Sequence, residues 1–105
     1  MPYTALRKSS DIGRVRRIGV RRRAGGITLF VAVGTPGPPR VAVVAGRAAG
    51  SAVRRNRAKR RLREALRRAP LEEGHDYVVS ADERVVMAPF ETVVSWVETA
   101  LGSEE

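Results

Sequence analysis

At 105 residues without cysteine, the chain has room for a single domain, 1–105, around one modest core, and can form neither a disulfide nor a thiolate metal site. Apolar residues make up 43%, enough for a folded chain, but no uninterrupted apolar run approaches the ~18 residues a membrane span needs, and MPYTALRKSS lacks the long apolar core of a secretory signal, so the expected compartment is the cytoplasm. The net charge of +9 is unevenly spread: residues 1–69 hold nineteen basic residues against two acids, while residues 70–105 hold one arginine against nine acids, which makes the first two thirds the candidate surface for a polyanion.

Residues 6–19 open with a short helix. Ser9 or Ser10 can cap it, Asp11 suits its positive N-terminus and Gly19 can close it, with Ile12 and Val15 supplying apolar contact and Arg14, Arg16 and Arg17 pointing elsewhere. Val20 to Ala24 is a basic arm, and Gly25-Gly26 is a turn signal that would let the arm pair as a short hairpin strand. Residues 27–33 alternate, with Ile27, Leu29, Val31 and Val33 expected in the core and Thr28, Phe30 and Ala32 on the opposite, smaller face. There Phe30 either packs under a helix or offers a base a stacking platform. After the Pro- and Gly-rich turn at 35–39, residues 40–45 read as a second strand, antiparallel to the first.

Ten of the twenty basic residues fall in residues 46–68, against one acid, Glu64. From Ser51, a plausible N-cap, the run is free of Pro and Gly until Pro70, and at 100° per residue Ala58, Leu62, Ala65, Leu66 and Ala69 make one apolar stripe. Asn56, Arg60, Arg63 and Arg67 make a second stripe roughly opposite. A merely solvated basic face is the bland alternative, but so many arginines without i, i+4 acids repel one another and disfavour the helix unless an anion is bound. A membrane surface is the poorer anion, since the apolar stripe has no Trp or Phe to anchor in lipid.

Residues 71–74 form a loop and 77–81 a third strand; strand, long helix, strand implies a crossover and a parallel pair. Val85-Val86-Met87 is apolar but unplaced, a candidate short strand. Pro89 then opens a last helix whose Phe90, Val93, Val94, Val97 and Leu101 form a stripe that covers a sheet face, away from the polyanion. The fold class is thus α+β, a two-layer sandwich: helix, antiparallel strands, long basic helix, parallel strand, C-terminal helix. His75 is the only histidine, and His75-Asp76 beside Glu72 and Glu73 reads as a solvated loop in preference to a weak metal site. No catalytic residue and no metal ligand is assigned.

The segment Gly50-Ser51-Ala52-Val53-Arg54-Arg55-Asn56-Arg57-Ala58-Lys59-Arg60-Arg61-Leu62-Arg63-Glu64 closely resembles the helical signature G-x-A-V-x-R-N-R-x-K-R-x-x-R-E of the bacterial ribonuclease P protein subunit. Leu6, Asp11, Val15 and Gly19 also fit that family's N-terminal pattern, whereas Ile12 and Arg16 stand where it usually has phenylalanines. The resemblance implies a left-handed crossover and a protein that is inactive alone, in an endoribonuclease whose RNA subunit, with bound Mg²⁺, removes the 5′ leader of precursor tRNA. It implies contacts to the catalytic RNA from Arg54, Arg55, Asn56, Arg57, Lys59, Arg60, Arg63 and Arg67, and to the leader from Ile12, Arg16 and Phe30 in a groove between the sheet and the first helix. The expected partners are then the catalytic RNA and precursor tRNA, with neither membrane nor DNA. A small ribosomal-type RNA-binding protein shares the charge but does not require this residue order. A DNA-binding protein would need a helix-turn-helix pairing, and a protein-only nuclease would need acids near the basic face.

Overall fold

The computed structural model describes residues 2–102. Its elements are β1 (Thr4–Ala5), α1 (Ser9–Ile18), β2 (Val20–Ala24), β3 (Ile27–Val33), β4 (Arg40–Ala45), a 3₁₀ turn (Arg47–Ala49), α2 (Ala52–Arg67), β5 (His75–Ala81), α3 (Arg84–Met87) and α4 (Phe90–Gly102). The basic arm does pair as β2, antiparallel to β3 from Val20↔Val31 to Ala24↔Ile27. Gly25 makes the turn with φ +52, in the left-handed region, and a Cβ there would stand 2.0 Å from the Trp96 ring of α4.

The five strands lie in the order β1-β4-β5-β3-β2. This corrects the expected pairing of residues 27–33 with 40–45: β3 and β4 run in opposite directions but are not neighbours, because β5 lies between them, antiparallel to β3 and parallel to β4. The reason lies in the connection and in β5 itself. Residues 34–39 contain three prolines and no tight hairpin turn, and are long enough to step across two strand spacings of about 4.8 Å each. β5 holds Tyr77, Val78 and Val79 buried in succession, and a strand apolar on both faces belongs at the centre of a sheet. The β4-α2-β5 unit is the parallel crossover that the element order predicts.

The helices divide between the two faces. On one, Ile27, Leu29, Val41, Tyr77 and Val79 pack with Ala58, Leu62, Ala65 and Leu66 of α2 and with Val93, Val94, Val97 and Ala100 of α4. All five residues of the predicted α2 stripe, Ala69 included, are buried. On the other face, a smaller cluster of Leu6, Val15, Ala32, Ala42 and Val78 sits under α1, with Ile12, Phe30 and Val44 partly buried against it.

Four expectations need correction. Val31 is only partly buried, and Val33, past the end of the β2 ladder, is 73% exposed instead of lying in the core. The residue preceding α1 is Lys8, with no side-chain cap, so Ser9 and Ser10 lie inside the helix. Val85-Val86-Met87 is not a strand but most of the single helical turn α3, which Asp82 starts by accepting from the Arg84 amide at 2.9 Å. Finally, β5 begins at His75, which takes Asp76 out of the supposed solvated loop and into the sheet.

Candidate nucleic-acid interface

Helix α2 begins where the sequence places it. Ser51 has extended backbone and its Oγ accepts from the Arg54 amide at 3.4 Å. With Leu62 and Leu66 fully buried, the opposite side presents Arg54, Asn56, Arg57, Arg60, Arg63 and Arg67 exposed, with Arg55 and Lys59 half-buried at its flanks. Arg55 donates to the Gly50 carbonyl at 3.2 Å, Arg54 lies 4.0 Å from Glu83, and Arg67 pairs with Glu64 at 3.0 Å. The predicted helix residues therefore form one continuous surface, and its single helical acid is already engaged.

The three residues assigned to the groove also converge. Cross-strand register aligns Arg21, Phe30, Val78 and Ala42 in one row and Arg23, Thr28, Ser80 and Val44 in the next, on the face that α1 only partly covers. Phe30 is half-buried, and the Arg16 guanidinium carbon lies 5.8 Å from its ring centroid, so the ring both packs on the cluster beneath α1 and meets a cation above. Ile12 packs on the same cluster. One depression over the β1/β4 edge is lined by Leu6, Ile12, Ala42 and Val44 together with Tyr3 and Arg63. The groove beside α1 thus opens toward α2, and Tyr3 bridges the two by donating to the Arg63 carbonyl at 3.2 Å.

What the sequence reading missed is the clamp that holds α1 on the sheet. Asp76, 1% exposed, accepts from Arg14 of α1 at 2.6 Å and from Arg40 of β4 at 2.9 and 2.8 Å. Burial pushes the Asp76 carboxyl up, but the hydrogen bonds and charge of Arg40, and then of Arg14, outweigh it and hold the group below the usual carboxylate range. Gly34 is obligatory beside it, since a Cβ there would stand 2.5 Å from the carboxyl carbon. The available signal was the alternation of β5, which puts Asp76 on the same face as Val78, toward α1.

Among the described residues no group of three or more His, Cys, Asp or Glu side chains is placed to hold a metal ion, and no helix is long and apolar enough to cross a membrane. His75 instead contacts the Glu73 carbonyl at 3.0 Å and lies 3.7 Å from Glu72.

A family model described as ribonuclease P matches residues 2–104. The ribonuclease P protein component of Chloroflexus aggregans is 39% identical over 88 residues, covering 81% of this chain but 65% of that protein, so the match spans just under two thirds of its length. That of Kocuria rhizophila is 37% identical over 90 residues, covering 82% of this chain and 78% of the relative. Among solved structures, the RNase P protein from Thermotoga maritima superposes with a TM-score of 0.81 at 25% identity, covering 96% of this chain and 97% of that one. The Staphylococcus aureus RNase P protein, with a TM-score of 0.78 at 18% identity over 95% and 94% of the two chains, shares the α+β fold.

Proposed function

The chain belongs to the ribonuclease P protein family, and we propose that it serves as the protein subunit of this endoribonuclease, binding the catalytic RNA with α2 and the 5′ leader of precursor tRNA in the groove beside α1. The observation that carries this reading is the shared depression over the β1/β4 edge, with Ile12 on one side and Arg63 on the other. A strand leaving that groove would meet the basic helix without crossing an acidic surface. The relatives matched lend no support to the ribosomal-type alternative, and no feature of the described site favours it.

Each exposed group of α2 has a physical task in this reading. Guanidinium forks grip phosphate oxygens in pairs, Asn56 offers both donor and acceptor to ribose and base edges, and the summed charge lets two polyanions approach each other. In the groove, Phe30 supplies a stacking face and Arg16 a cation that either stacks or neutralises a backbone phosphate. The donor set does not suit Mg²⁺: α2 carries one carboxylate, Glu64, and Arg67 holds it. The metal ions of the reaction belong on RNA phosphates, and the protein assists by charge neutralisation and positioning.

The test is reconstitution with a bacterial ribonuclease P RNA and assay of precursor tRNA cleavage at low Mg²⁺. In that holoenzyme, Phe30→Ala is expected to weaken binding of precursor tRNA by about 1 to 3 kcal/mol while leaving mature tRNA almost unaffected. Arg16→Ala should lower the salt dependence of the same step. Equal losses for both RNAs would make Phe30 a packing residue only and move the leader elsewhere.

A further inference from the structure

We propose that the junction of α2 and α4 is a second base-stacking site, built on Phe90, that takes an unpaired nucleotide of the catalytic RNA. The inference rests on the assignment of α2 to that RNA. By periodicity Phe90 belongs to the buried stripe of α4, yet Val93, Val94 and Val97 of that stripe are at most 6% exposed while Phe90 stays half-buried. Its ring faces the flank of α2, with the guanidinium carbons of Arg61 and Arg68 at 5.9 and 5.6 Å from its centroid. The ring lines an open depression with Arg60, Arg61, Arg63, Glu64 and Arg67.

The charge of this depression selects the occupant. Its one acid, Glu64, is engaged by Arg67 at 3.0 Å. Arg61 is tied to a neutral partner, donating to the Ala88 carbonyl, so it is held in place without being neutralised. Arg68 meets Glu91 at 3.3 Å, but both side chains are at least half exposed, and such a rim pair yields readily to a phosphate. An aromatic face among guanidinium groups that outnumber the acids beside them matches a nucleotide, with the base on the ring and the phosphate on the arginines. An acidic protein would satisfy the charge but not the flat ring. The depression also shares Arg60, Arg63 and Arg67 with the exposed face of α2, so the RNA proposed for that face already runs along its rim.

The experiment uses the full chain and a bacterial ribonuclease P RNA. Phe90→Leu keeps the apolar packing of the first turn of α4 and removes the π face. It should weaken RNA binding about tenfold while the protein still unfolds cooperatively. In a second protein, Trp96→Phe with Phe90→Trp leaves position 90 as the only indole, since Trp96 is the sole native tryptophan. Its fluorescence should be quenched when RNA binds, and the unfolded RNA-free protein should not reproduce that change. Unaltered affinity for Phe90→Leu together with unquenched fluorescence overturns the site. Arg60→Ala with Arg63→Ala, measured alongside, separates the two failures: if that pair weakens binding and the Phe90 variants do not, α2 still binds the RNA and only the stacking site falls. If none of them matters, the assignment of α2 falls with it.

Discussion

Asp76→Asn should destabilise the folded protein by about 3 to 5 kcal/mol, a large fraction of the 5 to 15 kcal/mol that holds a typical domain. The substitution is nearly isosteric, so it isolates charge from shape. It leaves the guanidinium groups of Arg14 and Arg40, 30% and 28% exposed, facing a neutral amide that cannot accept all three of the hydrogen bonds now made. The pH dependence supplies a second signature. The folded pKa of Asp76 is depressed, so its contribution is fully present above the unfolded carboxylate value of about 3.9 and is lost as pH falls through the lower folded value. Urea unfolding between neutral and strongly acidic pH should therefore show an acid-side loss in the native chain that the Asn variant lacks at this site. A variant within 1 kcal/mol of the parent at every pH would mean that solvent replaces the clamp without cost. Because Arg14 lies on α1 together with Ile12 and Arg16, a loosened clamp should also blur the groove wall.

The legible parts of this fold are those whose signal lies within one element. Helix α2 was readable because its apolar and charged stripes repeat with one helical period behind the Ser51 cap; the cap and both faces hold in the structure, while the helix ends at Arg67 and Ala69 is buried just beyond it. The β2-β3 hairpin was readable from Gly25-Gly26 for the same local reason. The Asp76 clamp was not, since its arginines lie 62 and 36 positions away and only the sheet brings them together. Strand order was hidden similarly: residues 34–39 mark a turn but say nothing of whether β4 pairs with β3 or leaves room for β5. Val85–Met87 misled because three consecutive apolar residues carry no period, and the aspartate that starts α3 lies just upstream at Asp82. Phe90 fitted the α4 stripe by spacing, but spacing gives direction and not depth, and its ring stays half-buried against Arg61 and Arg68 at the flank of α2.

Replacing Arg60 and Arg63 together with Ala should weaken binding to the catalytic RNA by two to three orders of magnitude while leaving unfolding unchanged. Hydrogen bonds of charged groups are worth about 1.5 to 3 kcal/mol each, and side chains one helical turn apart on the same polyanion do not add fully, which sets the range below the simple sum. Both residues are exposed, and neither side chain contributes to the buried cluster under α2. The logarithmic salt dependence should fall by roughly one for each phosphate contact removed, so the double variant should show a slope lower by about two. Leu62→Ala supplies the opposite control. Leu62 is fully buried, and its truncation should cost about 2 to 5 kcal/mol of stability, with RNA affinity recovered wherever the protein remains folded. If the arginine pair leaves affinity and salt slope unchanged, the exposed face of α2 is not what holds the RNA, and if it unfolds the protein, the buried and exposed faces of the helix are reversed.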